Sequence, residues 1–169
     1  MANTIIDFGF DLYIINTGST SNQFRKKKVI NIKLNRTGFL KYIEFYYKVK
    51  KILFSFPVDI IIASDLYSLP ASCSLTGSKI IYDSREIYSQ HAGMINNKIK
   101  QFFWYFIEKI YIDKTKAVLV TADGDKIFLK KLYKNIKIFS IYNFPSIKMK
   151  NKKNNLLRKK LGLLVNEII

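Results

Sequence analysis

Four apolar runs in this chain each deliver polar or ionisable side chains into a turn. Lys79-Ile80-Ile81-Tyr82 ends in Asp83-Ser84-Arg85-Glu86, and Asp59-Ile60-Ile61-Ile62-Ala63-Ser64 runs into Asp65. Ala117-Val118-Leu119-Val120-Thr121-Ala122 leads into Asp123-Gly124, and Lys137-Ile138-Phe139-Ser140-Ile141-Tyr142 into Asn143. Carboxylates so placed bind hydroxyl groups or orient a base. The guanidinium of Arg85 suits a phosphate or carboxylate but stays protonated at neutral pH, which excludes it as a general base. Each group also has a plainer reading. Asp65 and Glu86 equally suit helix-cap or turn roles, because short polar side chains bond the local backbone. Asp83 reads as tying down its turn, and Asp123 with Gly124 as starting a helix. His91, the single histidine, falls in a loop and lacks the partners that a positioned base needs.

The elements that must hold these residues alternate regularly. Residues 11–16 form a short β-type run before a Gly/Ser/Thr turn, and 28–34 alternate apolar and polar as a strand near a sheet edge does. Apolar groups at three- and four-residue spacing over Phe39 to Phe54 predict a helix stopped before Pro57. Strand 59–64, a short helix over Leu69 to Leu75 and strand 79–83 follow. Ile95, Ile99, Phe102, Phe103, Phe106, Ile107 and Ile110 share one face of an amphipathic helix over 94–113. Strand 117–122, a helix capped by Asp123 and running through Leu132, strand 137–142 and a helix over Asn154 to Leu161 complete the series. Strands separated by helices predict an α/β fold with a doubly wound, Rossmann-like parallel sheet, whose ligands bind beyond the carboxyl ends of the strands.

Composition sets the limits. At 169 residues and 49% apolar content the chain suits one domain with a real core. The net charge of +17 favours anionic partners, but 25 of the 29 basic residues are Lys, which a compositional drift toward Lys, Ile and Asn also produces. The lone Cys73 excludes an internal disulfide and reads as a buried structural thiol. No run reaches the length of a membrane span, and the N-terminus lacks a secretion-signal pattern, so the expected location is cytoplasmic. No metal site is expected.

The order of these strand ends resembles the N-terminal domain of family-4 glycosyltransferases, enzymes of GT-B architecture with two facing Rossmann-like domains. The resemblance rests on Asp59 to Leu66 followed by Leu69-Pro70-Ala71, and on Tyr82-Asp83-Ser84-Arg85-Glu86 against a Tyr-Asp-x-His-Glu pattern. Trp104 and Glu108 in the long helix, Val118 to Gly124, and Ile141-Tyr142-Asn143-Phe144-Pro145 extend it. It implies that residues 1–150 are one half of a GT-B fold, and that 151–169 lead into a C-terminal donor-binding domain. That domain would hold the nucleotide-sugar site, so the donor is a substrate and no cofactor is expected. Arg85 stands where the family commonly carries His. Aligned with the family, Met1 falls within the first helix, which predicts a vacant slot between strand 11–16 and strand 59–64, where the family's first strand lies.

The resemblance implies transfer of a sugar to a glycan or lipid-linked acceptor in cell-envelope polysaccharide synthesis. Asp65, Arg85 and Glu86 would bind the acceptor, Ser84, His91, Asp123 and Asn143 would line the cleft, and no catalytic residue is assigned. Asn143 with Pro145 would also shape the crossover between domains. A noncatalytic, partner-binding domain is the alternative. Nucleic-acid binding has least support, because the Phe and Tyr residues fall on apolar helix faces and do not alternate with basic groups on a strand. Aromatic and Lys residues interleaved over 39–54 and 98–109 suit peripheral contact with anionic lipid at the inner face of the membrane; the plainer reading, above all for 98–109, is that the aromatic face packs on the sheet and the lysines solvate it.

Overall fold

The computed structural model of the chain describes residues 2–18, 28–88 and 97–142. In chain order these form α1 (Ala2–Asp7), β1 (Tyr13–Asn16), β2 (Lys28–Asn31), α2 (Leu40–Leu53), β3 (Ile60–Ser64), a 3-10 turn (Leu66–Ser68), α3 (Leu69–Ser72), β4 (Lys79–Ser84), α4 (Lys98–Ile112), β5 (Ala117–Val120), α5 (Asp123–Leu132) and β6 (Ile138–Ser140). The fold is α/β and Rossmann-like: β3, β4, β5 and β6 lie side by side in that order, all parallel. Each parallel step needs a crossover, and the intervening helices supply it.

Register explains which side chains make the core. Ile61 lies beside Ile80, Ala63 beside Tyr82, and Tyr82 beside Val118, which in turn lies beside Ile138. All are buried on one face. Trp104 and Ile112 of α4 and Leu129 of α5 close over this row, while Phe45, Val49 and Leu53 of α2 cover Ile61. On the opposite face Ile60 and Phe139 are exposed.

β1 and β2 form a separate two-stranded parallel sheet. Among the described residues β1 and β3 exchange no backbone hydrogen bond. The two sheets still belong to one body, since α2 packs on both. Ile32 is buried with Phe45, Val49 and Ile61, and Ile15 lies against the same cluster. Glu44 of α2 fixes the approach to the helix by accepting the backbone N–H groups of Asn35, at 2.9 Å, and Arg36, at 2.8 Å.

The helix boundaries follow local chemistry. The Asn97 side chain accepts the Lys100 N–H at 3.0 Å, capping α4. The start falls after Ile95, which lies outside the described residues. Asp123 and Asp125 in the first turn of α5, with Lys130 and Lys131 in its last, match the helix dipole. The expected face of α4 is corrected. Trp104, Glu108 and Ile112 make its buried stripe, and only Phe103 and Ile107 of the predicted set pack against the core. Ile99, Phe102, Phe106 and Ile110 are exposed. The buried arc differs from the most apolar one, and on it Glu108 meets two tyrosine hydroxyls. The expected helix over 154–161 lies outside the described residues.

Candidate functional site

The carboxyl ends of β3 and β4 bring Asp65, Asp83, Ser84, Arg85 and Glu86 together. Asp65 leaves β3 with φ 67° and ψ 158°, the one non-glycine positive φ among the described residues. That region of backbone space is nearly restricted to glycine and is strained for a residue with a Cβ. The turn is enforced from both sides. The Asp65 N–H donates to the Asp83 carbonyl at 3.1 Å, and Leu66 and Leu69, just beyond, are fully buried. Ser68 ties the turn by donating its hydroxyl to the carbonyls of Ser64 at 2.7 Å and Asp65 at 2.8 Å.

Asp83 is buried at the end of β4 and accepts the Nε–H of Arg85 at 3.2 Å. This fulfils its turn-anchoring role and holds the guanidinium at the rim, where 60% of the Arg85 side chain is exposed. Ser84 is buried and donates its hydroxyl to the Glu86 carbonyl at 3.4 Å, so it supports the turn and does not offer its side chain to a cleft. Burial pushes the Asp65 carboxyl up, Arg85 opposes that shift, and the Asp83 and Glu86 charges reinforce it. An aromatic wall stands beside the carboxylates. The rings of Tyr42 and Tyr67 lie 6.2 Å apart, Tyr42 and Trp104 5.1 Å, and Tyr88 and Trp104 5.5 Å. Burial and then the Asp65 charge hold the Tyr88 phenol above its ordinary range, marking Tyr88 as a neighbour of the carboxylates.

Beneath the rim, β4 is pinned by a buried carboxylate. Glu108 accepts the Tyr82 hydroxyl at 3.2 Å and the Tyr133 hydroxyl at 3.1 Å, linking β4, α4 and the end of α5. Burial raises its carboxyl above the usual range, against the lowering effect of the two hydroxyls. The residue alternation gave no sign of Tyr67, Tyr88 or this bridge. The available signal was a Glu set one helical turn from Trp104 and from Ile112 in α4, with two Tyr on adjoining elements.

Asp123 makes a second cluster, beyond β5 and β6. The expected start of α5 holds, but Ala122 occupies the cap position and makes no side-chain cap bond. The Asp123 carboxylate instead accepts the Ser140 hydroxyl and the Tyr142 hydroxyl, each at 2.6 Å, and these bonds pull its pKa down. His91 and Asn143 lie outside the described residues. Cys73 is half-buried and burial pushes its thiol up to about 11, which suits an inert packing residue. Among the described residues no group of His, Cys, Asp and Glu is arranged to hold a metal ion. A depression of about 500 Å³ bordered by Phe54, Phe56, Val58 and Gly77 lies at the opposite, amino-terminal end of β3 and β4. It carries no ionisable side chain, so the rim remains the chemically equipped surface. No protein-family model matches the chain, and no curated protein matches it either.

Proposed function

We propose that this chain supplies the acceptor-binding surface for transfer of a sugar from a nucleotide-sugar donor to a glycan or lipid-linked acceptor, in the manner of a GT-B glycosyltransferase. The supporting observation is the convergence of Asp65, Arg85 and Glu86 beside Tyr67 and Tyr88 at the carboxyl ends of adjacent parallel strands, where α/β sheets bind ligands. Carboxylates accept sugar hydroxyls, aromatic rings pack on apolar ring faces, and a guanidinium engages a phosphate in two parallel bonds. Arg85 selects an acceptor carrying an anionic group, and its permanent charge keeps it out of proton transfer. The nucleotide-sugar donor and its binding half are separate elements of this reading, as is an acceptor delivered from the membrane.

NMR titration of the labelled chain with a short-chain prenyl-diphosphate sugar tests the acceptor site. Resonances of Asp65, Arg85, Glu86 and Tyr88 are expected to shift together. Arg85→Ala should cost about 1.5–3 kcal/mol of binding, since a charge-assisted contact is lost. Shifts confined to other surfaces, or equal affinity of the Arg85→Ala chain, would remove the assignment.

The lipid-linked form of the reading has support from α4. Ile99 is 83% exposed, Phe102 69% and Phe106 51%, and exposed Lys98 and Lys109 border this stripe. Peripheral contact with an anionic bilayer would use both features: the apolar side chains enter the interface while the lysines meet headgroups. No helix among the described residues is long and apolar enough to cross a membrane.

A further inference from the structure

We propose that Asp83 is a positioning residue for the acceptor surface: it holds Arg85 by Nε and so turns both Nη groups outward, as a fork for two oxygens of one phosphate group of the acceptor. This rests on the acceptor-binding reading above and adds to it the mode and direction of binding. Asp83 is the fixed partner of the pair. It lies in register with Ser64 of β3 on one side and Leu119 of β5 on the other, and its carbonyl accepts the Asp65 N–H at 3.1 Å. Its side chain is 9% exposed, that of Arg85 60%. Arg85 directly follows β4 and donates its Nε–H back to the Asp83 carboxylate at 3.2 Å. The Ser84 hydroxyl, bonded to the Glu86 carbonyl, braces the turn between them.

A guanidinium carries five N–H donors, and among the described residues the Nε–H of Arg85 is the one with a partner. A buried carboxylate that loses its counter-charge is left uncompensated in the interior, at high cost. A ligand therefore does not draw Arg85 off Asp83. It meets the outer edge of the guanidinium, where Nη1 and Nη2 present two parallel donors that match two phosphate oxygens. The side-on mode, which uses Nε, is closed. Burial raises the Asp65 carboxyl and the Arg85 charge opposes that shift, so the two groups are close neighbours. One ligand then spans both, with sugar hydroxyls at half-buried Asp65 and its phosphate at the exposed fork. The sugar points to the strand ends and the phosphate to solvent. A lysine at position 85, with a single ammonium and no Nε–H to anchor, would not reproduce this geometry.

Titration of the full chain with the short-chain prenyl-diphosphate sugar, read as affinity and on the Arg85 side-chain N–H signals, tests the fork. Asp83→Asn keeps an acceptor oxygen and removes the charge, whereas Asp83→Leu removes both. Each takes a negative charge from an anion site, so charge alone predicts tighter binding by both variants. Positioning predicts opposite outcomes. Asp83→Asn should bind at least as tightly as wild type, and Asp83→Leu should lose about three- to tenfold, the cost of ordering a loose arginine on binding. Adding Asp83→Leu to Arg85→Ala should change nothing further, because Asp83 acts through Arg85. In wild type the ligand should bring out separate Nη–H signals while the Nε–H signal stays in place. Retained protection of the Asp65 amide, which donates to the Asp83 carbonyl, certifies the strand end in each variant. Should Asp83→Leu fail to fold, the wild-type Nε–H response decides alone. Unchanged or tighter binding by Asp83→Leu, an equal loss with and without Arg85, or displacement of the Nε–H signal by the ligand would overturn the proposal. Unchanged binding by Arg85→Ala is a distinct failure, which removes the acceptor-surface reading and the fork with it.

Discussion

The Tyr82 hydroxyl lies 3.2 Å from the Glu108 carboxylate, and with Tyr133 bound to the other oxygen of the same group it fastens β4, the strand that carries the rim, to α4. Burial raises the Glu108 pKa, so in the fold this carboxyl keeps its proton over a pH range where the unfolded chain has released it. The native state then binds more protons, and stability falls as pH rises from the ordinary Glu value through the raised one. Glu108→Gln should remove that part of the decline, giving a chain that gains on wild type as pH rises. Urea midpoints at about pH 5 and pH 8 measure the difference, and parallel pH profiles would refute it. Glu108→Ala leaves two buried hydroxyls without an acceptor and should cost about 2–5 kcal/mol.

Asp65 carries strain that its side chain does not relieve through any cap bond. Asp65→Gly should therefore stabilise the chain by about 1 kcal/mol or more, because glycine adopts this backbone without the Cβ penalty. The same change removes a carboxylate from the proposed acceptor site, so binding of the prenyl-diphosphate sugar should weaken while the unfolding midpoint rises. A lower midpoint would show that the carboxylate stabilises the turn by more than the strain costs.

The strands and their polar ends were legible because Ile60 to Ala63, Ile80 to Tyr82 and Val118 to Val120 are continuous apolar runs with abrupt polar stops. The burial of Glu108 was not legible. A helical wheel assigns Ile99, Phe102, Phe106 and Ile110 to the core on hydrophobicity, and nothing local shows that Tyr82 and Tyr133 converge on the opposite arc. The backbone of Asp65 was hidden for a related reason. Glycine announces a positive φ, whereas an aspartate forced into it by the buried Leu66 and Leu69 gives no such sign. The capping role expected of Asp123 failed by one position, which turned its carboxylate toward Ser140 and Tyr142 on the far side of the strand end.

That Asp123 bridge should govern the last strand of the sheet. β6 has β5 on one side and no neighbour on the other among the described residues, so the bonds from Ser140 and Tyr142 add an anchor at its end. The Asp123 pKa is lowered, so its contribution is present above the ordinary Asp value and is lost as pH falls through the depressed one. Asp123→Ala should speed amide exchange at Ile141, which donates to the Val120 carbonyl, and at Phe139 in the same phase of the ladder, while leaving Ile81 in β4 unchanged. Equal acceleration of both strands would mean global destabilisation and no local anchor.

The exposed arc of α4 gives the last prediction. Phe102 and Phe106 stack with centroids 6.4 Å apart on the surface, and their burial in a bilayer interface would remove apolar area from water at about 25 cal/mol per Å². Replacing both by Ser should lower partitioning onto vesicles rich in anionic lipid by about tenfold or more, since loss of roughly 60 Å² of buried apolar surface already corresponds to 1.4 kcal/mol. Lys98→Gln with Lys109→Gln should act differently, weakening binding to anionic vesicles, with an effect that shrinks as salt rises. Because neither pair belongs to the buried Trp104, Glu108 and Ile112 stripe, the fold should survive both changes, and a thermal unfolding scan verifies it. Vesicle sedimentation separates the alternatives. Partitioning that is equal on neutral and anionic lipid and indifferent to all four substitutions would exclude this face as a membrane contact.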